Sequence, residues 1–175
     1  MKKSKEEASS FNTALIVGRF QPFHNGHLFL INRAFDEADK VKIVIGSANK
    51  NDKENPFSAQ ERKEMITDAL NEAKIKNYEL FILDDIPEDG KWVKHVRDKV
   101  GEYDIVFAWE NGLVAQLFDK EKDFVVVGDK YQNIDATDIR KMIAKDEDYA
   151  KLVPKSVAKY LEKIYAKQRL KKLLK

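Results

Sequence analysis

Five short apolar runs, each separated from the next by a stretch with helical spacing, constrain this chain to an alternating α/β fold. The runs are Ala14 to Val17, Val41 to Gly46, Glu79 to Leu83, Asp104 to Ala108 and Phe124 to Val127. Between them a helix begins near Asn25 and turns Leu28, Ile31 and Phe35 inward. A second covers Ser58 to Ala73 with Met65, Ile66, Ala69 and Leu70 inward, and Ser58 with Glu61 has the spacing of a capping box. Lys91 to Val100 and Gly112 to Phe118 supply two more. Strict β-α alternation with right-handed crossovers predicts one Rossmann-like, doubly wound parallel sheet of about five strands, with helices on both faces. At 175 residues the chain can fill one such domain and is too short for two. The expected organisation is a disordered tail over 1–11, an α/β domain over 12–150, and a basic helix over 151–175 packed on that domain. Sheets of this kind bind ligands above the carboxyl ends of their strands.

The end of the first run is the richest such place. Ala14-Leu-Ile-Val-Gly-Arg-Phe-Gln-Pro-Phe-His24-Asn25-Gly26-His27 carries a buried strand into a tight loop and then into a helix. Gly18 lets the backbone turn without a Cβ, and Pro22 fixes the loop. A helix amino terminus bears unpaired N–H groups and positive partial charge, so oxyanions collect there. His24 and His27 stand three apart on its first turn, and Arg19 stands before them. Together they form a clamp for a polyphosphate, the histidines offering neutral donors that become cations when an anion raises their pKa. Capping and packing alone, or metal binding, are the competing roles for the pair. Zinc is disfavoured, because there is no cysteine and the third histidine, His95, lies far along the chain. Near the other end, Thr137 and Arg140 sit three apart on a helix starting near Asp135, again at an anion-favouring terminus. Neither G-x-G-x-x-G after a strand nor G-x-x-x-x-G-K-S/T is present, which disfavours redox Rossmann enzymes and P-loop NTPases.

Gly18-Arg-Phe-Gln-Pro-Phe-His-Asn-Gly-His27 resembles the signature of the H-x-G-H nucleotidyltransferase superfamily, and in its longer form that of archaeal-type nicotinamide-nucleotide adenylyltransferases. The similarity runs from about Ala14 to Tyr160 through ordered landmarks. These are Gly46-Ser47-Ala48, Asn55 to Arg62, Asp84-Asp85-Ile86 with Trp92-Val93, Asn111 to Val114, and Ile134 to Arg140. H-x-G-H alone fits several related transferases, and a similar H-I-G-H occurs in class I aminoacyl-tRNA synthetases.

The resemblance implies transfer of an adenylyl group from ATP to nicotinamide mononucleotide (NMN), giving NAD and pyrophosphate, with Mg²⁺ bound mainly through the ATP phosphates and no dedicated protein ligands. It implies catalytic roles for His24, His27 and Arg140, and ATP contacts from Gly18, Arg19, Phe20, Gly26, Asn111 and Thr137. It assigns Ser47, Asp85, Ile86 and Trp92 to NMN, with Trp92 stacking on the nicotinamide ring and backbone groups near Asp85 and Ile86 meeting the carboxamide. A pyridinium over an indole gains about 0.5 to 2 kcal/mol. The polar, flexible stretch Lys50 to Asn55 is either a solvated loop or a lid whose Lys50 or Lys53 reaches the terminal phosphates. The chain departs from the family where Asp135 replaces a serine, with a capping role expected to survive, and where Trp109-Glu110 replaces small residues before Asn111.

A related adenylyl- or cytidylyltransferase acting on flavin mononucleotide or phosphopantetheine is the nearer alternative. A nonenzymatic nucleotide sensor or RNA binder is the farther one. It draws on the segment from Lys155 to Lys175, where eight Lys or Arg face one Glu beside an apolar stripe of Val157, Leu161 and Ile164. The net charge of +2 hides a dense mixture of both signs, as in a soluble protein. No apolar run approaches the roughly 20 residues that cross a bilayer, and the amino-terminal stretch has no apolar core for a signal peptide. A cytoplasmic homo-oligomer is the expected state.

Overall fold

The computed structural model describes residues 10–110, 112–128 and 131–174, less the side chain of Asp89. Five strands form the sheet: β1 (Phe11–Gly18), β2 (Ala38–Ile45), β3 (Tyr78–Ile82), β4 (Ile105–Trp109) and β5 (Val125–Gly128). All pairings are parallel and the order is β3-β2-β1-β4-β5. The chain thus winds outward from β1 in one direction, returns, and winds outward in the other. The crevice at the carboxyl ends of β1 and β4, where the direction reverses, is where such a sheet binds ligands.

Alternation along each strand distributes apolar side chains to two faces, so the runs read as continuous rather than half-polar. In β1, Ala14 and Ile16 enter one core while Leu15 enters the other, all at 2% exposure or less. The larger core receives α1 (Asn25–Glu37), α2 (Ala59–Glu72), α5 (Ala136–Lys145), α6 (Lys155–Lys163) and α7 (Ala166–Leu173). The smaller one receives α3 (Asp89–Val100) and α4 (Leu113–Lys120) through Val93, Val96, Val100 and Phe118. On α2 the four residues expected inward are fully buried, and Ser58 and Glu61 close the expected capping box at 3.2 and 2.8 Å.

Two boundaries differ from expectation. Strand β1 already begins at Phe11, whose ring packs 5.6 Å from that of Phe124, so the last residue of the expected tail belongs to the sheet; residues 1–9 lie outside the described part. The carboxyl-terminal segment is two helices rather than one. Tyr165 takes a left-handed backbone (φ +55°) and turns α7 back, so that Ala166 and Leu170 are buried in the core that Val157 and Leu161 already occupy. A straight continuation could not place both ends of the segment against one core. Arg169 then pairs bidentately with Glu61 at 2.7 Å on each arm and donates to the Pro56 carbonyl, and Lys167 pairs with Asp146 at 2.6 Å. Part of the basic charge that an RNA surface would display is therefore consumed inside the fold.

Candidate active site

The loop after β1 is built around rings folded back on the backbone. Phe20 has φ +53° and lays its ring over Gly18, where a Cβ would stand 2.9 Å from the ring. Phe20 and Phe23 are buried and floor the loop. Gln21 fastens it to the segment before α2 by donating to the Phe57 carbonyl at 2.9 Å and accepting the Phe57 amide at 3.0 Å. These bonds fasten the loop to the segment before α2 and make a shelf of it.

On that shelf the two histidines cap α1 reciprocally. His24 Nδ1 accepts the His27 amide at 3.3 Å, and His27 Nδ1 accepts the His24 amide at 3.2 Å. The rings stack with centroids 3.6 Å apart, and His27 also packs on Phe20 and Phe23. Gly26 is required for this: a Cβ there would lie 2.9 Å from the His24 ring. Capping and ligand binding are not rivals here. An Nδ1 that accepts a backbone hydrogen bond leaves the proton on Nε2 of a neutral ring, so each histidine keeps one donor for the cavity they both line. Burial pushes the His24 pKa down to about 4, with Asp135 partly opposing it; burial and then His24 push His27 well below the usual imidazole value. Both rings are therefore neutral donors at pH 7.

Arg140, at 5% exposure, donates to the Gln21 carbonyl at 2.8 Å and to Thr137 Oγ1 at 3.3 Å. Its guanidinium therefore braces the β1–α1 loop, a role beyond the expected phosphate fork. Asp135 does cap α5, accepting the Thr137 amide at 2.7 Å. Arg19 is half-exposed, with Nη1 3.8 Å from Glu54. Within the Lys50–Asn55 segment, residues 52–55 are ordered by their own hydrogen bonds. Asp52 Oδ1 accepts the amides of Glu54 and Asn55 at 2.9 Å and the Asn55 side chain at 3.0 Å, closing a tight turn. Lys50 lines the cavity and Lys53 does not.

Across the cavity, Ser47 has φ +50°, and its amide donates to Asp85 Oδ1 at 3.2 Å. Asn49 takes both backbone groups of Asp85, donating to its carbonyl at 3.1 Å and accepting its amide at 3.0 Å. Both backbone groups of Asp85 are therefore already engaged within the protein. Trp92 meets Phe118 edge-on at 6.1 Å and also lines the cavity, so this half-buried ring belongs at once to the core and to the cavity wall. Asn111 lies outside the described residues.

Sequence reasoning gave no site role to Leu113 or Arg62 and saw Trp109 only as a departure from the family. Trp109 and Leu113 line the cavity, the latter 68% exposed at its rim. Arg62 is fully buried beneath it and donates to the carbonyls of Arg19, Gly46 and Ser47. The signal was present: Arg62 falls on the buried stripe of α2 with Met65, Ile66, Ala69 and Leu70, where a charge has no reason to be without partners.

The cavity has a volume of about 940 Å³ and brings together Arg19, His24, His27, Ser47, Trp92 and Arg140 from four separate stretches of chain. Space of that order suits a dinucleotide-sized ligand. Residues 15–148 match the family described as cytidylyltransferase-like. The chain is 42% identical over 163 residues to a nicotinamide-nucleotide adenylyltransferase of Thermococcus onnurineus, covering 91% of this chain and 87% of that one. It is 41% identical over 165 residues to the protein of the same name from Pyrococcus furiosus, covering 91% and 87%. Among solved structures it is similar to a bifunctional NMN adenylyltransferase/ADP ribose pyrophosphatase from Francisella tularensis, complexed with AMP and a manganese ion. That likeness has a TM-score of 0.78 at 26% identity over 93% of this chain, which spans about half (52%) of the solved protein.

Proposed function

The chain belongs to the cytidylyltransferase-like family, among the nicotinamide-nucleotide adenylyltransferases, and from that premise we propose that it transfers the adenylyl group of ATP to NMN, forming NAD and releasing pyrophosphate. The observation that carries this reading is the meeting of two neutral Nε2 donors and an indole platform in one cavity at the switch point of the sheet.

The chemistry asks little more of the protein. A phosphate monoester of NMN is largely ionised at neutral pH, so its oxygen attacks the α-phosphorus without a general base. Attack is in line: one P–O bond forms to the NMN phosphate as the bond to the β-phosphate oxygen breaks, and the electron pair leaves with pyrophosphate. No covalent enzyme intermediate is involved. Charge grows on the α-phosphate and on the leaving oxygen, where His24 and His27 donate from Nε2. Arg19 is free enough to turn from Glu54 to the β- and γ-phosphates, and Arg140 with Thr137 borders the same space. Trp92 offers its face to the pyridinium.

A divalent cation fits as a companion of the nucleotide. No three His, Cys, Asp or Glu converge among the described residues, and Asp135, the carboxylate beside His24, already caps α5. Mg²⁺ would be held by phosphate oxygens and water and would neutralise part of the triphosphate charge. No helix among the described residues is long and apolar enough to cross a membrane. A cytoplasmic homo-oligomer completes the proposal, supported by the edge strand β5, where Val127 and the adjacent Phe124 are exposed.

The test is a panel of phosphorylated acceptors supplied with ATP or CTP and Mg²⁺, read as pyrophosphate release together with the dinucleotide formed. NAD from ATP and NMN is the expected outcome. Turnover of flavin mononucleotide or phosphopantetheine with none of NMN would overturn the reading.

A further inference from the structure

Arg62 is an odd residue to bury. It is fully enclosed, no carboxylate forms an ion pair with it among the described residues, and burial pulls its pKa down to about 10 against the opposing influence of Asp85. An enclosed guanidinium is costly unless its donors are satisfied. Four backbone carbonyls satisfy it: Nε donates to Ser58 of its own helix at 3.3 Å, Nη1 to Arg19 and Gly46 at 2.7 Å each, and Nη2 to Ser47 at 3.2 Å.

The identity of those carbonyls matters more than their number. Arg19 belongs to the loop that bears the histidines, and the next residue, Phe20, has a left-handed backbone; Ser47 belongs to the loop after β2 and is left-handed itself. Non-glycine residues hold such conformations only where their surroundings enforce them. Ser47 continues the chain of contacts by donating to Asp85, beyond which lie Ile86 and Trp92. One planar fork therefore joins the loops after β1 and β2, and the Ser47–Asp85 bond carries the connection on to the loop after β3, from the triphosphate side of the cavity to the nicotinamide side.

We propose that Arg62 is a positioning residue that couples the two nucleotide subsites, making the loop after β1 and the loop after β2 respond as one body. The inference rests on the adenylyl-transfer reading. It follows that whichever nucleotide binds first orders both loops, and the second finds its loop already set. A lysine at this place keeps the charge but has one nitrogen and no planar fork, so it cannot hold the carbonyls of Arg19, Gly46, Ser47 and Ser58 together as three guanidinium nitrogens do.

Calorimetry of the full-length protein with Mg²⁺ and α,β-methylene-ATP, with and without saturating NMN, measures the coupling. Each nucleotide should tighten the other by about fivefold or more, by the same factor in both directions. Arg62→Lys should bring that factor to about 1 and lower kcat on the order of 100-fold, while each nucleotide alone binds within about threefold of wild type. Ethylguanidinium added to Arg62→Ala should restore part of kcat, which a purely structural loss would not allow. A folded Arg62→Lys protein with wild-type coupling and kcat would overturn the inference. Should neither variant fold, hydrogen exchange on the wild-type protein decides: NMN alone must slow the amides of residues 19–21, and unchanged rates overturn the coupling. A wild-type protein that makes NAD without any coupling overturns this inference and leaves the reaction standing; one that makes no NAD overturns the reaction itself.

Discussion

The two halves of the cavity are held by different kinds of contact. On the side proposed for the triphosphate, the histidine geometry is local: His24 and His27 cap one another three residues apart, Gly26 makes room for the His24 ring, and Gly18 makes room for Phe20. On the side proposed for nicotinamide the geometry is non-local. Ser47 leans on Asp85 across 38 positions, Asn49 locks the backbone of Asp85 across 36, and Trp92 is set by Phe118 on another helix. A site assembled within one turn needs a motif, whereas a site assembled across three loops needs the sheet that spaces them.

That contrast can be broken most sharply on the local side. His27→Ala removes one Nε2 donor and a cap together, and turnover should fall on the order of a thousandfold while ATP still binds. Steady-state kinetics beside an ATP titration will show it; retained turnover would remove His27 from the reaction.

Acid probes the same half through stability. The folded pKa of His24 lies near 4 against 6.5 when exposed, so the unfolded chain takes up its proton first as pH falls. Stability should be complete above about pH 6.5 and decline as pH falls toward 4, by about 3 kcal/mol for His24 alone, with His27 adding to it. Denaturant melts between pH 7 and 4 measure the slope. A flat profile would mean the rings are not buried neutral.

The non-local half should respond in KM rather than in kcat. Trp92→Ala is expected to raise KM for NMN by about 3- to 30-fold, the equivalent of about 0.5 to 2 kcal/mol of cation–π energy, and to leave KM for ATP near its original value. Equal changes for both substrates would show that Trp92 acts only through packing against Phe118. The smallest effect is a control outside both halves: Ser58→Ala loses the cap of α2 and should cost about 1 kcal/mol, a drop of a few degrees in Tm, at unchanged kcat. A loss of activity there would implicate the Glu61–Arg169 tie in the site.

Much of the architecture was legible from residue pattern alone. Short apolar runs and period-3.6 helices are properties of neighbouring residues, so the five strands, the inward face of α2, its capping box and the strand-to-helix loop at His24-Asn-Gly-His27 could all be read in advance. The turn at Lys50 to Asn55 escaped because one Asp52 oxygen, collecting three donors, converts a polar stretch into a closed loop. The break at Tyr165 escaped because only the shared core rewards it.

The sequence by itself determined which atoms can meet within a single turn, since backbone geometry leaves little freedom there. Only the tertiary structure decided that Arg140 braces the Gln21 carbonyl from 119 residues away, that Asn49 claims the backbone of Asp85, and that Arg62 fastens the loops after β1 and β2. The physical reason is that a donor's choice among many carbonyls depends on the distances that strand order and register impose, and local residue pattern does not specify those distances.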